Sequence, residues 1–434
     1  MHLSGKHKTL ISLYGLGWSV VSPALALSQR MRQGYWERLL HRNWGRSPHW
    51  QDVWIQAASG GEAYLAFELI NELAQEKINV LATSGTSQGM EVLGKVQAWC
   101  SANKQRGLRF QREYFPFDAP RLMRKALSLT LPKVVVLLET ELWPGLLSAC
   151  AEQDLPVVVV NGRMSAKSLA GYLTMAGFFR ATAPRKILAI SQADARRFGT
   201  LFGQDRVTVM PNMKFDRVDI ASEDPAHNPV SALLKTNSSL AVFGSVRRQE
   251  ETDLVPVIAE LRQARPKTSI GLFPRHMHRV NAWSTLLEKA ELPFVLRSTI
   301  SEPVAPGTLI LWDAFGELDA AYALCRAAFV GGSLKPLGGQ NFLEPLAHGV
   351  VPCIGPHWKN FSWVGRDIFN QGLAVQVKDA EELAQRMVKL LERPQAKDTV
   401  KERFSGYVSS RQGGTLLAAD LIRRVLDEQS DRQE

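Results

Sequence analysis

The chain has 434 residues, of which 45% are hydrophobic, 22% charged and 8% aromatic; these are the proportions of a globular protein of about two domains, and they exclude wholesale disorder, a collagen-like chain and a multi-span membrane bundle. The net charge of +10 is local: residues 1–50 contribute +6 and the other 384 residues only +4, so nucleic acid is not the expected partner. Cys100, Cys150, Cys325 and Cys353 have neither metal nor disulfide spacing, which suits a reducing compartment.

The basic N-terminal segment brackets an uncharged stretch, residues 9–29, with Lys6 and Lys8 before it and Arg30, Arg32, Arg38, Arg42 and Arg46 after it. An interfacial anchor on an anionic membrane surface uses both features and ranks first. A membrane span is long enough but interrupted by Gly15, Gly17 and Pro23, and a signal peptide cleaved after Ala24-Leu25-Ala26 ranks last. Trp18, Trp36, Trp44, Trp50 and Trp54 place five of the eleven tryptophans here, as an interface-seeking segment would. A core helix with a solvated basic face is the plain alternative.

From residue 52 the sequence alternates strand-length apolar runs with helical patterns. Strands are predicted at 52–58, 78–83, 134–138, 156–160 and 186–190, with helices at 63–75 and 90–100. Residues 216–239 lose the pattern and gather Pro, Ser, Asp and Asn, so a linker is expected at 217–239. Strands resume at 240–245, 268–273, 308–312, 328–330, 350–354 and 373–377, with helices near 250–264, 316–325, 341–348 and 379–392. The prediction is an α/β protein of two doubly wound Rossmann-like domains, 51–216 and 240–434, facing an interdomain cleft, with the last helix able to cross back.

Four motifs carry chemistry. Ser59-Gly60-Gly61-Glu62 follows a strand and opens a helix, which would keep Glu62 ionised as a general base; complementing the helix dipole is the simpler role for it. The turn 84–89 is a weaker anion site. Glu139 and Glu141 end a strand where paired carboxylates could meet a sugar, or where one could merely cap a helix, and Arg163 in Asn161-Gly-Arg-Met-Ser165 is a candidate anion contact. Arg275, His276, His278 and Arg279 on one turn suit a phosphate or a nucleoside better than a metal. The strongest motif is 330–345: Gly331-Gly332-Ser333, then Gly338-Gly339, then a helix starting near Asn341 with Glu344 one turn in. It is expected to offer free amides to a nucleotide phosphate and Glu344 to ribose hydroxyls.

These residues carry a resemblance. Gly61-Glu62, Glu139-Thr-Glu-Leu-Trp-Pro144, Asn161–Ser165, Lys214-Phe-Asp216, Pro274-Arg-His276, Gly316-Glu-Leu318 with Tyr322, and Gly331-Gly-Ser333 through Glu344-Pro345 occur in the order seen in bacterial 3-deoxy-D-manno-octulosonic acid (Kdo) transferases of lipopolysaccharide synthesis. The resemblance covers nearly the whole chain. It implies the GT-B fold, transfer of Kdo from CMP-Kdo to a lipid A precursor with inversion at the cytoplasmic face of the inner membrane, and no cofactor. It further implies Glu62 as the base and Arg275 with the 331–344 loop as the CMP site, with His276 beside it. Ser59, Gly61, Glu139, Glu141, Arg163 and Lys214 are expected on the substrate side, and Lys214 is a further candidate for the departing phosphate. The sequence departs from the family's pattern at Gly60 (usually Val), Gly145 (commonly Asn), Gln340 (His) and 244–251, which lacks Ser-Thr-His before its acidic pair. A GT-B-fold epimerase or hydrolase of nucleotide sugars, and a non-catalytic sugar-nucleotide binder at the membrane, are the competing readings.

Overall fold

The computed structural model describes the chain apart from residues 1–3, 42–43, 45–50, 75–76, 104–106, 221–227, 236–237 and 432–434, and apart from the side chains of residues 29–30. Arg42, Arg46, Trp50 and residues 221–227 and 236–237 of the expected linker therefore lie outside the described residues. The chain forms two compact units, Met1–Arg217 with Arg411–Glu434, and Val218–Ser410.

The first unit is built on seven parallel strands: β1 Val53–Ala57, β2 Asn79–Ser84, β3 Arg109–Tyr114, β4 Val134–Leu138, β5 Val157–Gly162, β6 Lys186–Ala189 and β7 Val207–Val209. Their order is β3-β2-β1-β4-β5-β6-β7. Every residue of β1, β4 and β5 is buried, as a parallel sheet covered on both faces requires. Side chains alternate between two cores. Val53, Ile55 and Val136 pack with Leu65, Leu69 and Ile70 of the helix Gly60–Leu73, while Trp54, Val135 and Leu137 pack with Met123 and Leu146 on the other face.

The last helix, Gly414–Ser430, belongs to this unit, where Ala418, Ala419, Ile422 and Val425 join the first core. Asp216 fixes its start: its carboxylate accepts the Gly413 N–H at 2.7 Å and the N–H and hydroxyl of Thr415 at 2.6 Å each.

The second unit repeats the plan with β8 Ser239–Val246, β9 Thr268–Pro274, β10 Phe294–Leu296, β11 Leu309–Leu311, β12 Ala327–Val330, β13 Pro352–Ile354 and β14 Val375–Gln376, ordered β10-β11-β9-β8-β12-β13-β14 and all parallel. The two doubly wound sheets predicted from sequence are thus present. β3, β7 and β10 lack a predicted counterpart: each is an edge of its sheet and partly solvated, β3 is mostly polar, and β7 and β10 are only three residues long.

The N-terminal segment differs in detail from its expectation. Residues Gly5–Leu25 form a helix, yet among the described residues no helix is long and apolar enough to cross a membrane. Two tryptophans expected at an interface are core residues instead: Trp54 is fully buried, with its indole N–H donating to Thr83 at 2.8 Å, and Trp44 is 6% exposed against it. Arg38 is likewise internal. It donates to the carbonyls of Phe115 at 3.2 Å and Gly85 at 2.9 Å and lies over the Tyr114 ring, so its charge serves the fold rather than a surface.

Candidate active site

In the first unit the crossovers change direction between β1 and β4, and the crevice beyond the carboxyl ends of those strands is where such sheets bind ligands. Glu62 stands there, on the first turn of the helix that follows β1. Ser59 caps that helix: its hydroxyl accepts the Glu62 N–H at 3.4 Å and donates to the Glu62 carboxylate at 3.1 Å, while the Ala58 N–H donates to the same carboxylate at 2.6 Å. The carboxylate thus completes a capping arrangement, the simpler role foreseen for it, at the helix start beside the crevice. Burial, and then the nearby negative charge of Glu139, raise its pKa above the ordinary carboxylate value, against the lowering effect of the two hydrogen bonds and Lys214.

Glu139, directly after β4, and Asn161, the penultimate residue of β5, lie in the left-handed region, φ +57° and +55°, a conformation that costs a residue such as Glu roughly 1–2 kcal/mol and clusters at functional sites. The Glu139 carboxylate is held by two cations, Lys214 at 2.7 Å and Arg163 at 2.9 Å. Asn161 accepts the Met213 N–H at 3.0 Å and so positions the 3₁₀ turn Met213–Arg217 that carries Lys214. Glu141 accepts the Trp143 indole N–H at 2.6 Å; burial and the Glu62 charge push its pKa up to about 7. Ser59, Glu62, Glu139, Glu141, Arg163 and Lys214, separated by up to 155 residues in sequence, are thus brought to one end of one sheet. Gly61 serves as a helical first-turn residue in open surroundings. Lys214 and Arg163 thus pair with Glu139, whereas Glu62 and Glu141 accept from uncharged donors.

In the second unit Arg275 and His276 follow β9, and both are solvent-exposed. Slight desolvation, then the charges of Arg247, Arg275 and His278, whose ring stacks on it at 5.5 Å, lower the His276 pKa. Arg279 is not available to a ligand in the way its neighbours are: it makes a two-pronged pair with the buried Glu251 at 2.9 and 2.6 Å. Glu344 lies on the five-residue helix Leu343–Ala347, accepts from the Asn341 amide at 3.0 Å, and has its pKa raised by burial against the lowering effects of that bond and of Arg275.

The glycine loop departs from expectation. The amides of Gly332, Ser333 and Leu334 all donate to the fully buried carboxylate of Glu250, at 2.6, 2.9 and 2.9 Å, and the Arg247 N–H donates to it at 3.1 Å. The Gly331 N–H binds the Gly244 carbonyl, and the N–H groups of Gly339 and Gln340 bind the carbonyls of Gly332 and Gly331. These amides were expected to be free for a phosphate; an internal anion already fills the nest. The glycines are needed for close approach, since a Cβ on Gly331 would lie 2.6 Å from the Ser245 carbonyl, and one on Gly338, at φ +89°, 2.6 Å from Asn360. Sequence reading named 244–251 only as a departure and missed this role of Glu250, for which the paired Glu250-Glu251 after a strand was the available signal.

Two doubly wound parallel sheets, with ionisable residues at the carboxyl end of a switch point in one and a basic turn and a glycine loop after strands of the other, define the GT-B fold, which glycosyltransferases and nucleotide-sugar epimerases share. Solved structures agree at the level of the fold: a glycosyltransferase from Rickettsia africae ESF-5 is 12% identical, with 87% of this chain and 99% of that one covered at a TM-score of 0.58. A UDP-GlcNAc 2-epimerase from Neisseria meningitidis bound to UDP-GlcNAc is also 12% identical, with 87% and 99% covered at a TM-score of 0.53. Residues 30–217 match the family described as 3-Deoxy-D-manno-octulosonic-acid transferase (kdotransferase). A 3-deoxy-D-manno-octulosonic acid transferase of Bordetella pertussis is 31% identical over 422 residues, 93% of this chain and 94% of that protein, and one of Haemophilus influenzae is 27% identical over 409 residues, 92% and 93% of the two. The chain belongs to the 3-deoxy-D-manno-octulosonic acid transferase family.

Proposed function

We propose that the enzyme moves Kdo from CMP-Kdo to a lipid A precursor in a single inverting displacement, with Glu62 as the general base. The observation that carries this reading is the carboxylate of Glu62 at the β1/β4 switch point, its pKa raised by burial, in a member of this family. A base of raised pKa holds a captured proton better than an ordinary carboxylate does. Glu62 takes the proton of the acceptor hydroxyl, the oxygen attacks the anomeric carbon, and the bond to the phosphate breaks with CMP leaving as the anion. One displacement needs one base and no covalent intermediate.

Glu141, with a pKa near 7, is partly protonated at neutral pH and can both donate to and accept from a sugar hydroxyl. On the donor side Arg275 is a solvent-exposed cation for the departing phosphate and Glu344 the acceptor for ribose hydroxyls. The N–H groups of Gly331, Gly332, Ser333 and Gly339 already have partners, so these residues shape the site through their backbone rather than donate to the phosphate, and Gly338 shapes it by its close approach to Asn360. No cofactor enters the scheme.

The lipid acceptor is met at the anionic cytoplasmic face of the inner membrane. Leu13, Leu16, Val20 and Leu27 are 61–89% exposed and Trp36 is 53% exposed, on a segment that also exposes Lys6, Lys8 and Arg32. That combination suits an interfacial anchor. Mass spectrometry of the lipids formed from CMP-Kdo and tetra-acylated lipid A precursor tests the reading: Kdo-bearing lipid is expected, and consumption of CMP-Kdo without a lipid product would replace transfer with hydrolysis.

A further inference from the structure

The helix Gly5–Leu25 has two apolar faces. Leu13, Leu16 and Val20 point outward, whereas Ile11, Tyr14 and Trp18, three or four residues apart, point inward. Ile11 is buried in the core that contains Met123, Leu146 and Leu147, and the Trp18 ring stacks on Phe117 at 5.7 Å. Tyr14, between them, donates its hydroxyl to Asp118 at 2.9 Å.

Asp118 is 1% exposed and occupies an unusual place. Its two oxygens accept the N–H groups of Gly145 and Leu146, each at 2.8 Å, in the first turn of the helix Pro144–Glu152. Trp143, at the N-cap position of that helix, makes no side-chain cap bond, so Asp118 caps the helix from another part of the chain. Gly145 is required for this approach, because a Cβ there would lie 2.2 Å from the Asp118 carbonyl oxygen. Immediately before this capped turn runs the segment 139–143, which carries Glu139 and Glu141; its Trp143 binds Glu141 on one side and packs on Phe115, three residues before Asp118, at 5.4 Å on the other.

We propose that Tyr14 and Asp118 are positioning residues for the transfer reaction, joining the lipid-facing N-terminal helix to the carboxylate segment 139–143, so that the seating of that helix sets the placement of Glu139 and Glu141. The same Asp118 oxygen serves Tyr14 and Gly145, so loss of the tyrosine bond loosens the cap directly. This inference rests on the proposed Kdo transfer for its kinetic consequence but not for its structural one, and the two are measured separately.

The test uses full-length Tyr14→Phe, with Asp118→Asn as a second variant. Amide hydrogen exchange is expected to quicken about tenfold in the peptide covering residues 144–147 of Tyr14→Phe, the size of an ordinary hydrogen bond's net contribution. In transfer assays kcat is expected to fall by about threefold to tenfold, with KM for CMP-Kdo and co-sedimentation with anionic phosphatidylglycerol vesicles unchanged. A merely structural contact would leave that split unmoved. Unchanged exchange at 144–147 in Tyr14→Phe overturns the coupling whatever reaction the enzyme performs. Quickened exchange with unchanged kcat overturns the positioning role. Absence of Kdo transfer by the wild-type enzyme counts against the function and leaves the exchange result to decide the coupling.

Discussion

Glu250→Gln probes a carboxylate of the second unit that accepts four backbone N–H groups. One Glu250 oxygen accepts from Gly332 and Arg247, the other from Ser333 and Leu334. Glutamine keeps one acceptor oxygen and turns the other into an NH₂ group that faces two N–H donors. Two charge-assisted bonds are lost, each worth about 1.5–3 kcal/mol, and two buried amides are left unpaired, so a destabilisation of about 3–6 kcal/mol is expected. Stabilities of whole proteins are about 5–15 kcal/mol, so the unit would be only marginally folded at 25 °C. Guanidinium unfolding followed by tryptophan fluorescence measures the loss, and CMP titration of the folded fraction measures its effect on the donor site. A Glu250→Gln protein within about 0.5 kcal/mol of wild type, the range of an ordinary surface substitution, would refute the claim that this carboxylate holds the glycine loop together.

Two further outcomes follow from close contacts and from burial. Gly145→Ala forces a methyl group against the Asp118 backbone and is expected to cost roughly 1–3 kcal/mol in thermal unfolding, with kcat falling as the cap on the 144–152 helix shifts. Glu141 has a folded-state pKa of about 7 against an ordinary 4.5, so the folded protein keeps a proton that the unfolded chain releases. The stability this group contributes is complete below about pH 4.5 and declines as pH rises towards about 7; Glu141→Gln should flatten the fall in melting temperature over that window, and an unchanged slope would contradict the shift.

How far the sequence could be read depended on whether a signal was local. β1, β4 and β5 are apolar runs because both their faces are covered, and the carboxylates at their ends could be located by following each run to its turn. β3, with the sequence Arg-Phe-Gln-Arg-Glu-Tyr, follows no such rule because it is an edge strand. The glycine loop was legible as a tight anion nest, but not the anion in it, because Glu250 reaches Gly332 across 82 residues of sequence. Charge and aromatic content misled for the same reason at the N-terminus. Arg38 and Trp54 look like membrane-seeking residues in composition, yet their partners Phe115, Gly85 and Thr83 come from other parts of the first unit. Asp118 shows no local pattern either, and only the fold brings it under Gly145.

Glu62→Gln provides the most direct measurement of the central claim, that a buried carboxylate at the β1/β4 switch point is the base for Kdo transfer. Glutamine preserves the volume and one acceptor oxygen of the capping arrangement but cannot take a proton. Single-turnover transfer from CMP-Kdo to lipid A precursor is expected to fall by about a hundredfold to ten-thousandfold, the usual contribution of a general base, while CMP binding and the melting temperature stay close to wild type. Transfer by Glu62→Gln at the wild-type rate would contradict the account.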